Sequence, residues 1–139
     1  MRLGILALSL MLVLPGQTAQ EDTRKELEKL QGKWAIATFN GQEVPSEAQL
    51  FLVFNGEKYE QWNNGSVDER GTIKVDPKTK PMQIDLIISE GNDAGKTQPG
   101  VYELTDSTTL WIGLTVPGNT TRPSAIANAE LQVVLRKTK

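Results

Sequence analysis

From Lys33 onward the chain falls into short runs in which apolar and polar residues alternate, separated by Gly, Asn, Asp and Pro. Met82, Ile84, Leu86 and Ile88 against Gln83 and Asp85 is the cleanest case, and a period of two marks a strand with one buried face. About eight strands are predicted in this way: Lys33 to Phe39, Leu50 to Phe54, Glu57 to Trp62, one reaching Val75, Met82 to Ile88, Gln98 to Leu104, Leu110 to Val116 and Glu130 to Lys137. Asn55-Gly56 between two apolar runs is a strong hairpin signal. Asn40-Gly41, Asn63-Asn64-Gly65 and the stretch from Asp76-Pro77 to Lys80-Pro81 mark further turns. Ahead of the strands, Thr23-Arg24-Lys25-Glu26 has capping-box spacing, and Leu27 and Leu30 give one narrow apolar face. That predicts a helix of about two turns, stopped at Gly32. Regularly spaced short strands after one helix point to an all-β, up-and-down antiparallel barrel.

Register can be read from the turns. Centring the first hairpin on Asn55-Gly56 pairs Leu52 with Tyr59 and Leu50 with Gln61. The same construction pairs Val75 with Met82, Ile73 with Ile84, Leu104 with Leu110 and Tyr102 with Ile112. Each pairing joins the more apolar parity of two strands, as one shared buried face requires. Sequential pairing also sorts the connections by end. The short links and the helix fall at one end, beside Trp34, and most of the long links fall at the other, giving a plugged cup.

The first residues follow another pattern. Arg2 precedes a short apolar run, Leu3 to Leu14, and then Pro15-Gly16-Gln17-Thr18-Ala19. The run is too short to span a hydrocarbon layer of ~30 Å as a helix, and its layout is that of a secretory signal peptide. Residues 1–19 are therefore expected to be a leader and 20–139 the barrel domain, exported to the periplasm or beyond and without a membrane span once processed. Without Arg2, 14 basic residues face 17 acidic ones, a formal charge of −3. So mild a charge with no basic cluster argues against nucleic acid. The chain has no cysteine, so no disulfide holds the exported fold.

There is also no histidine, which excludes Ser-His-Asp and Cys-His catalysis and histidine-ligated zinc or haem. No convincing carboxylate pair stands in for it. Glu90-Gly91-Asn92-Asp93 resembles a calcium loop in composition only, lacking the ligand spacing. Neither an enzyme, a metal nor a cofactor is expected.

Gly32-Lys33-Trp34, with a basic residue, Arg136, near the end of the last strand, resembles the lipocalin-like, or calycin, pattern. A closer resemblance covers nearly the whole chain after the leader. It is carried by Leu30-Gln31-Gly32-Lys33-Trp34, Phe54-Asn55-Gly56-Glu57-Lys58-Tyr59, Gly100-Val101-Tyr102-Glu103-Leu104 and Val133-Val134-Leu135-Arg136. On these pieces the chain resembles the planctomycete-type lipocalin-like domain, a family of exported proteins with no established activity. It departs at Thr105-Asp106-Ser107-Thr108, where that family tends to have an Asp-Gly-Asp type turn. The resemblance implies a barrel in which Gly32 and Trp34 open the first strand and Arg136 stacks across Trp34.

Two kinds of function remain. The first is a cup holding a small, largely apolar ligand. Inward parity puts Ile36, Phe54, Tyr59, Val75, Leu104, Leu110 and Leu135 in the lower half. Thr38, Leu50, Gln61, Glu69, Ile88, Gly100 and Leu114 fall in the upper half, where Gly100 would leave space. The ligand-binding residues expected are Thr38, Gln61, Gly100, Tyr102 and Leu114, with the loops at 42–49, 90–96 and 117–129 as the rim. The alternative is a filled barrel that binds a protein partner through outward Phe51, Trp62 and Trp111. A void of a few hundred Å³ favours the first, and a core at normal density the second.

Overall fold

The computed structural model describes residues 15–139, so the apolar run of the expected leader lies outside the described residues. Helix α1 spans Pro15–Leu30, about twice the expected length. Thr23 does not cap it. Its hydroxyl donates to the carbonyl of Ala19, 3.0 Å away and one turn earlier, the bond an interior threonine makes. Arg24 bridges Glu21 and Glu28 on the exposed face, while Leu27, Leu30 and Glu26 turn toward the barrel. The helix stops where Gly32 takes φ +112°, a conformation that costs a residue without Cβ little. The Gln31 side chain then ties the helix end to a distant turn: its carboxamide accepts from the Gly56 amide at 2.6 Å and donates to the Gly56 carbonyl at 3.0 Å.

Nine strands follow: β1 Gly32–Phe39, β2 Gln42–Glu43, β3 Leu50–Asn55, β4 Lys58–Asn63, β5 Ser66–Asp76, β6 Met82–Glu90, β7 Thr97–Asp106, β8 Thr109–Leu114 and β9 Leu131–Lys137. All pair antiparallel in the order β2-β1-β3-β4-β5-β6-β7-β8-β9, and β1 also pairs with β9. Eight strands thus close a barrel of the expected up-and-down kind. The ninth, β2, is a short addition that pairs with the end of β1 where β3 has left it. Closure leaves the eight barrel strands without the free edges that invite aggregation, and the free edge that remains is that of the two-residue β2.

The side-chain parity is as the alternation requires, but two hairpins sit two residues from the turn-centred register. Leu52 faces Gln61 and Phe54 faces Tyr59, because the loop is Gly56-Glu57. Gly56 has φ +63° at its first loop position, where a II′ turn demands a positive value. Likewise Val75 faces Ile84 and Ile73 faces Leu86. Leu104 with Leu110 and Tyr102 with Ile112 pair as expected. A slip of two keeps every side chain on its face, whereas a slip of one would invert the strand.

An inversion does occur in β1. Ile36 pairs with Leu135, but Thr38 pairs with Val134 and Phe39 with Val133. Ala37 is the extra residue of a β-bulge, so beyond it Phe39 takes the inward parity and Thr38 the outward one.

The plugged end is filled. Trp34 is wholly buried among Leu30, Phe54, Tyr59, Leu110 and Leu135, and its indole Nε1 donates to the Leu30 carbonyl at 2.7 Å. The cation above its ring is Lys137, with Nζ 5.4 Å from the centroid, not Arg136. Register gives the reason: Lys137 faces Trp34, while Arg136 faces Ala35 on the outer surface and is exposed.

Trp34→Ala is expected to cost about 3–5 kcal/mol, the usual range for emptying an aromatic core site. The partner is read in denaturant double-mutant cycles with the milder Trp34→Leu. Lys137→Ala should couple to it by about 0.5–1 kcal/mol, and Arg136→Ala should be additive within about 0.5 kcal/mol. Coupling to Arg136 instead would contradict the register at barrel closure.

Candidate ligand cup

The opposite end is open and encloses a cavity of about 460 Å³. Ile36, Leu52, Leu86 and Val133 project into it from the wall, and Leu50, Leu114, Leu131, Phe39 and Pro117 surround the mouth. Its polar lining is Gln61, Glu69, Gln98 and Asp93. The cup therefore lies at the end where the long connections were expected, with the packed floor around Trp34 beneath it.

Each polar group in the lining has a distinct setting. Asp93, from the turn between β6 and β7, pairs with Lys96 at 3.1 Å on the rim. Gln98 is buried and its amide donates to the Thr115 carbonyl at 3.1 Å. Gln61 and Glu69 face each other across β4 and β5. Just beyond them Trp62 pairs with Val67, which leaves Asp68 as an extra residue and bends the wall. Glu69 accepts a hydrogen bond from the Tyr59 hydroxyl at 2.7 Å, so a wholly buried ring holds the carboxylate against the wall of the cup.

Tyr59 can lie there because Gly71 faces it. A Cβ on Gly71 would stand 2.7 Å from the Tyr59 ring and 2.1 Å from the Ile87 carbonyl oxygen, closer than packed atoms approach. Glycine within a strand signals such a close approach. Gly71 is legible in the sequence on that ground.

Two of the sequence-expected ligand residues, Gln61 and Leu114, line the cup. Thr38 does not, because the bulge at Ala37 turns it outward and brings Phe39 to the mouth. Gly100 leaves no space: a Cβ there would sit 2.6 Å from Leu114 Cδ2 and 2.7 Å from the Gly113 carbonyl oxygen. Tyr102 belongs to the buried floor cluster below. Of the expected upper set, Ile88 is buried but does not line the cavity, and Leu50 and Glu69 do.

The rim also differs from expectation. Pro117 reaches the mouth, but Arg122, Ile126 and Ala129 of the connection between β8 and β9 lie along the outer wall. Arg122 pairs there with Asp85 at 2.8 Å and donates to the Gly100 carbonyl at 2.8 Å. Ile126 and Ala129 cover Gly113, where a Cβ would stand 2.8 Å from Ala129 Cβ. Val101, which faces Gly113, is buried as a result. The other outward aromatics are not one patch. Phe51 faces Trp62 and carries Lys33 Nζ 4.0 Å above its ring. Trp111, 40% exposed, lies on β8, with β9 and β1 between it and that pair.

Among the described residues no group of three or more metal-ligating side chains comes together, and no helix is long and apolar enough to cross a membrane.

Tyr59 and Tyr102 are the only tyrosines, and both phenols are held well above their ordinary range. For Tyr59 the cause is burial first and the bond to Glu69 second. For Tyr102 it is burial first and the Glu26 charge second; its hydroxyl has no hydrogen bond of good geometry. An unfolded chain releases these protons near pH 10, where the folded one retains them. Below about pH 10 the two groups leave stability unchanged, and above it stability falls as the unfolded state loses protons the folded state keeps. In an alkaline titration, tyrosinate absorbance should rise only in step with the loss of far-ultraviolet circular dichroism. Ionisation near pH 10 with the fold intact would contradict both sites.

No protein-family model matches the chain, and no match is found among curated proteins or solved structures. What the barrel does therefore rests on its own residues.

Proposed function

We propose that this chain is an exported, non-catalytic carrier of the lipocalin-like kind its sequence resembles, holding a small, largely apolar molecule in its cup. The observation that carries this reading is the cavity of about 460 Å³ above a fully packed floor. Small-molecule sites run from about 300 to 1,000 Å³, mostly apolar with a few directed polar groups. The lining has that character: nine apolar residues with Gln61, Glu69, Gln98 and Asp93. A groove of about 440 Å³ on the outer wall is a poorer candidate. Its lining is richer in charge, with Lys58, Glu60, Arg70 and Glu90, and Arg70 already pairs with both Glu60 and Glu90.

Size sets the expected strength. Removing about 250 Å² of apolar ligand surface from water at about 25 cal/mol per Å² gains about 6 kcal/mol before association costs. Taken whole, 6 kcal/mol corresponds to about 40 μM, so dissociation constants should lie at tens of micromolar or weaker.

Nile red, an uncharged apolar dye, should bind saturably with a dissociation constant of about 100 μM or tighter, about −5.5 kcal/mol. Leu50→Trp, which fills the mouth, should weaken it at least tenfold, and Trp111→Ser on the outer wall should not. Loss of binding in Trp111→Ser alone would favour the outer-face protein partner instead. Export makes a separate prediction: the intact mass of secreted protein should correspond to a chain beginning near Gln20. A mass that retains Leu3 to Leu14 would remove the export claim.

A further inference from the structure

We infer that the cup selects an apolar molecule bearing a protonated amine, with Glu69 as the group that reads its head. The inference rests on the cup being the ligand site, and it adds the ligand's charge. Glu69 is half-buried in the wall, and its one hydrogen bond among the described residues is the one accepted from Tyr59. No lysine or arginine lines the cavity, and none of the ion pairs among the described residues involves Glu69. The other acid of the lining, Asp93, is already matched by Lys96. The cup thus presents one unmatched carboxylate to whatever enters.

Chemistry decides the rest. A carboxylate is an acceptor that seeks donors, and its field is stronger beside low-dielectric walls than in open water. An ammonium head would find charge and hydrogen bond together at Glu69, with the Gln61 carboxamide opposite as a further acceptor. A hydroxyl head would gain the hydrogen bond alone. A carboxylate head would meet like charge with no cation to relieve it, which is the usual form of discrimination against a wrong partner. Free fatty acids are therefore the disfavoured ligands of this cup. Tyr59 holds the Glu69 carboxylate in place, and Gly71 makes room for the ring, so the head site is built before a ligand arrives.

Chain-matched decylamine, decanol and decanoate, each used below its micelle concentration, can be compared by displacement of Nile red. Decylamine is expected to bind at least tenfold more tightly than decanoate, with decanol between them. Glu69→Gln keeps a side-chain oxygen for Tyr59 and should reduce decylamine to the affinity of decanol. Glu60→Gln, on the outer wall, should leave the order unchanged. Equal affinities, tighter decanoate, or an amine preference that survives Glu69→Gln would each overturn the head-group inference. If the three bind alike and Leu50→Trp still blocks them, the cup stands and only its charge selectivity falls. If neither the dye nor any of the three binds, the cup falls with it. Should Glu69→Gln fail to fold, the head-group order in the native protein decides the matter alone.

Discussion

Closure of β1 against β9 is the constraint on which everything else in this fold depends. β1 is engaged on both edges, with β3 and then β2 on one and β9 on the other. An eight-stranded sheet held this way has a single inside, and the chain supplies an apolar side chain at nearly every position that faces it. The N-terminal helix then has one end to cover. Trp34 fixes it there, with the indole bonded to the last helical carbonyl and the ring forming part of the floor. Gln31 adds a second tie at the Gly56 turn. Were β1 and β9 to part, the floor would lose Leu135 on one side of Trp34.

Closure carries a local cost that shapes the mouth. The two strands do not run in simple register to the top, and Ala37 absorbs the mismatch as a bulge. Above it the parity of β1 is inverted, so Phe39 faces the opening, 44% exposed. A large apolar side chain is an expensive thing to leave in water, and here it stands beside Leu50, Pro117 and Leu131 at the lip of a cavity. The same irregularity that lets the barrel close therefore sets an apolar side chain at the mouth.

What could be read from the sequence follows from what each signal encodes. Alternation encodes parity, and it located the strands, the shared buried face, the plugged end and the open end. It also placed Gln61, Leu114 and Glu69 on the inside. It does not encode register, because slipping a hairpin by two residues preserves parity; the turns at Gly56-Glu57 and before Met82 settled by that amount. Nor does it mark a bulge, which adds one residue without a compositional sign at Ala37, so Thr38 was placed inward. Arg136 was chosen by resemblance, while pairing opposite Trp34 selects its neighbour Lys137. At Gly100 the absence of a side chain does not mean space. There, as at Gly71, it marks backbone that other atoms have already approached.

The division of labour between the two ends has a physical logic. Apolar residues packed at full density stabilise the fold and leave nothing to bind, so stability is concentrated in the floor around Trp34, Phe54 and Leu135. Cavities forfeit dispersion contacts, and a cup of this size lowers stability unless something fills it. Glu69 compounds that cost, since a carboxylate beside apolar walls gives up hydration for a single bond to Tyr59. On the proposed reading of the cup, a cation that brings its own apolar body would offset both costs at once.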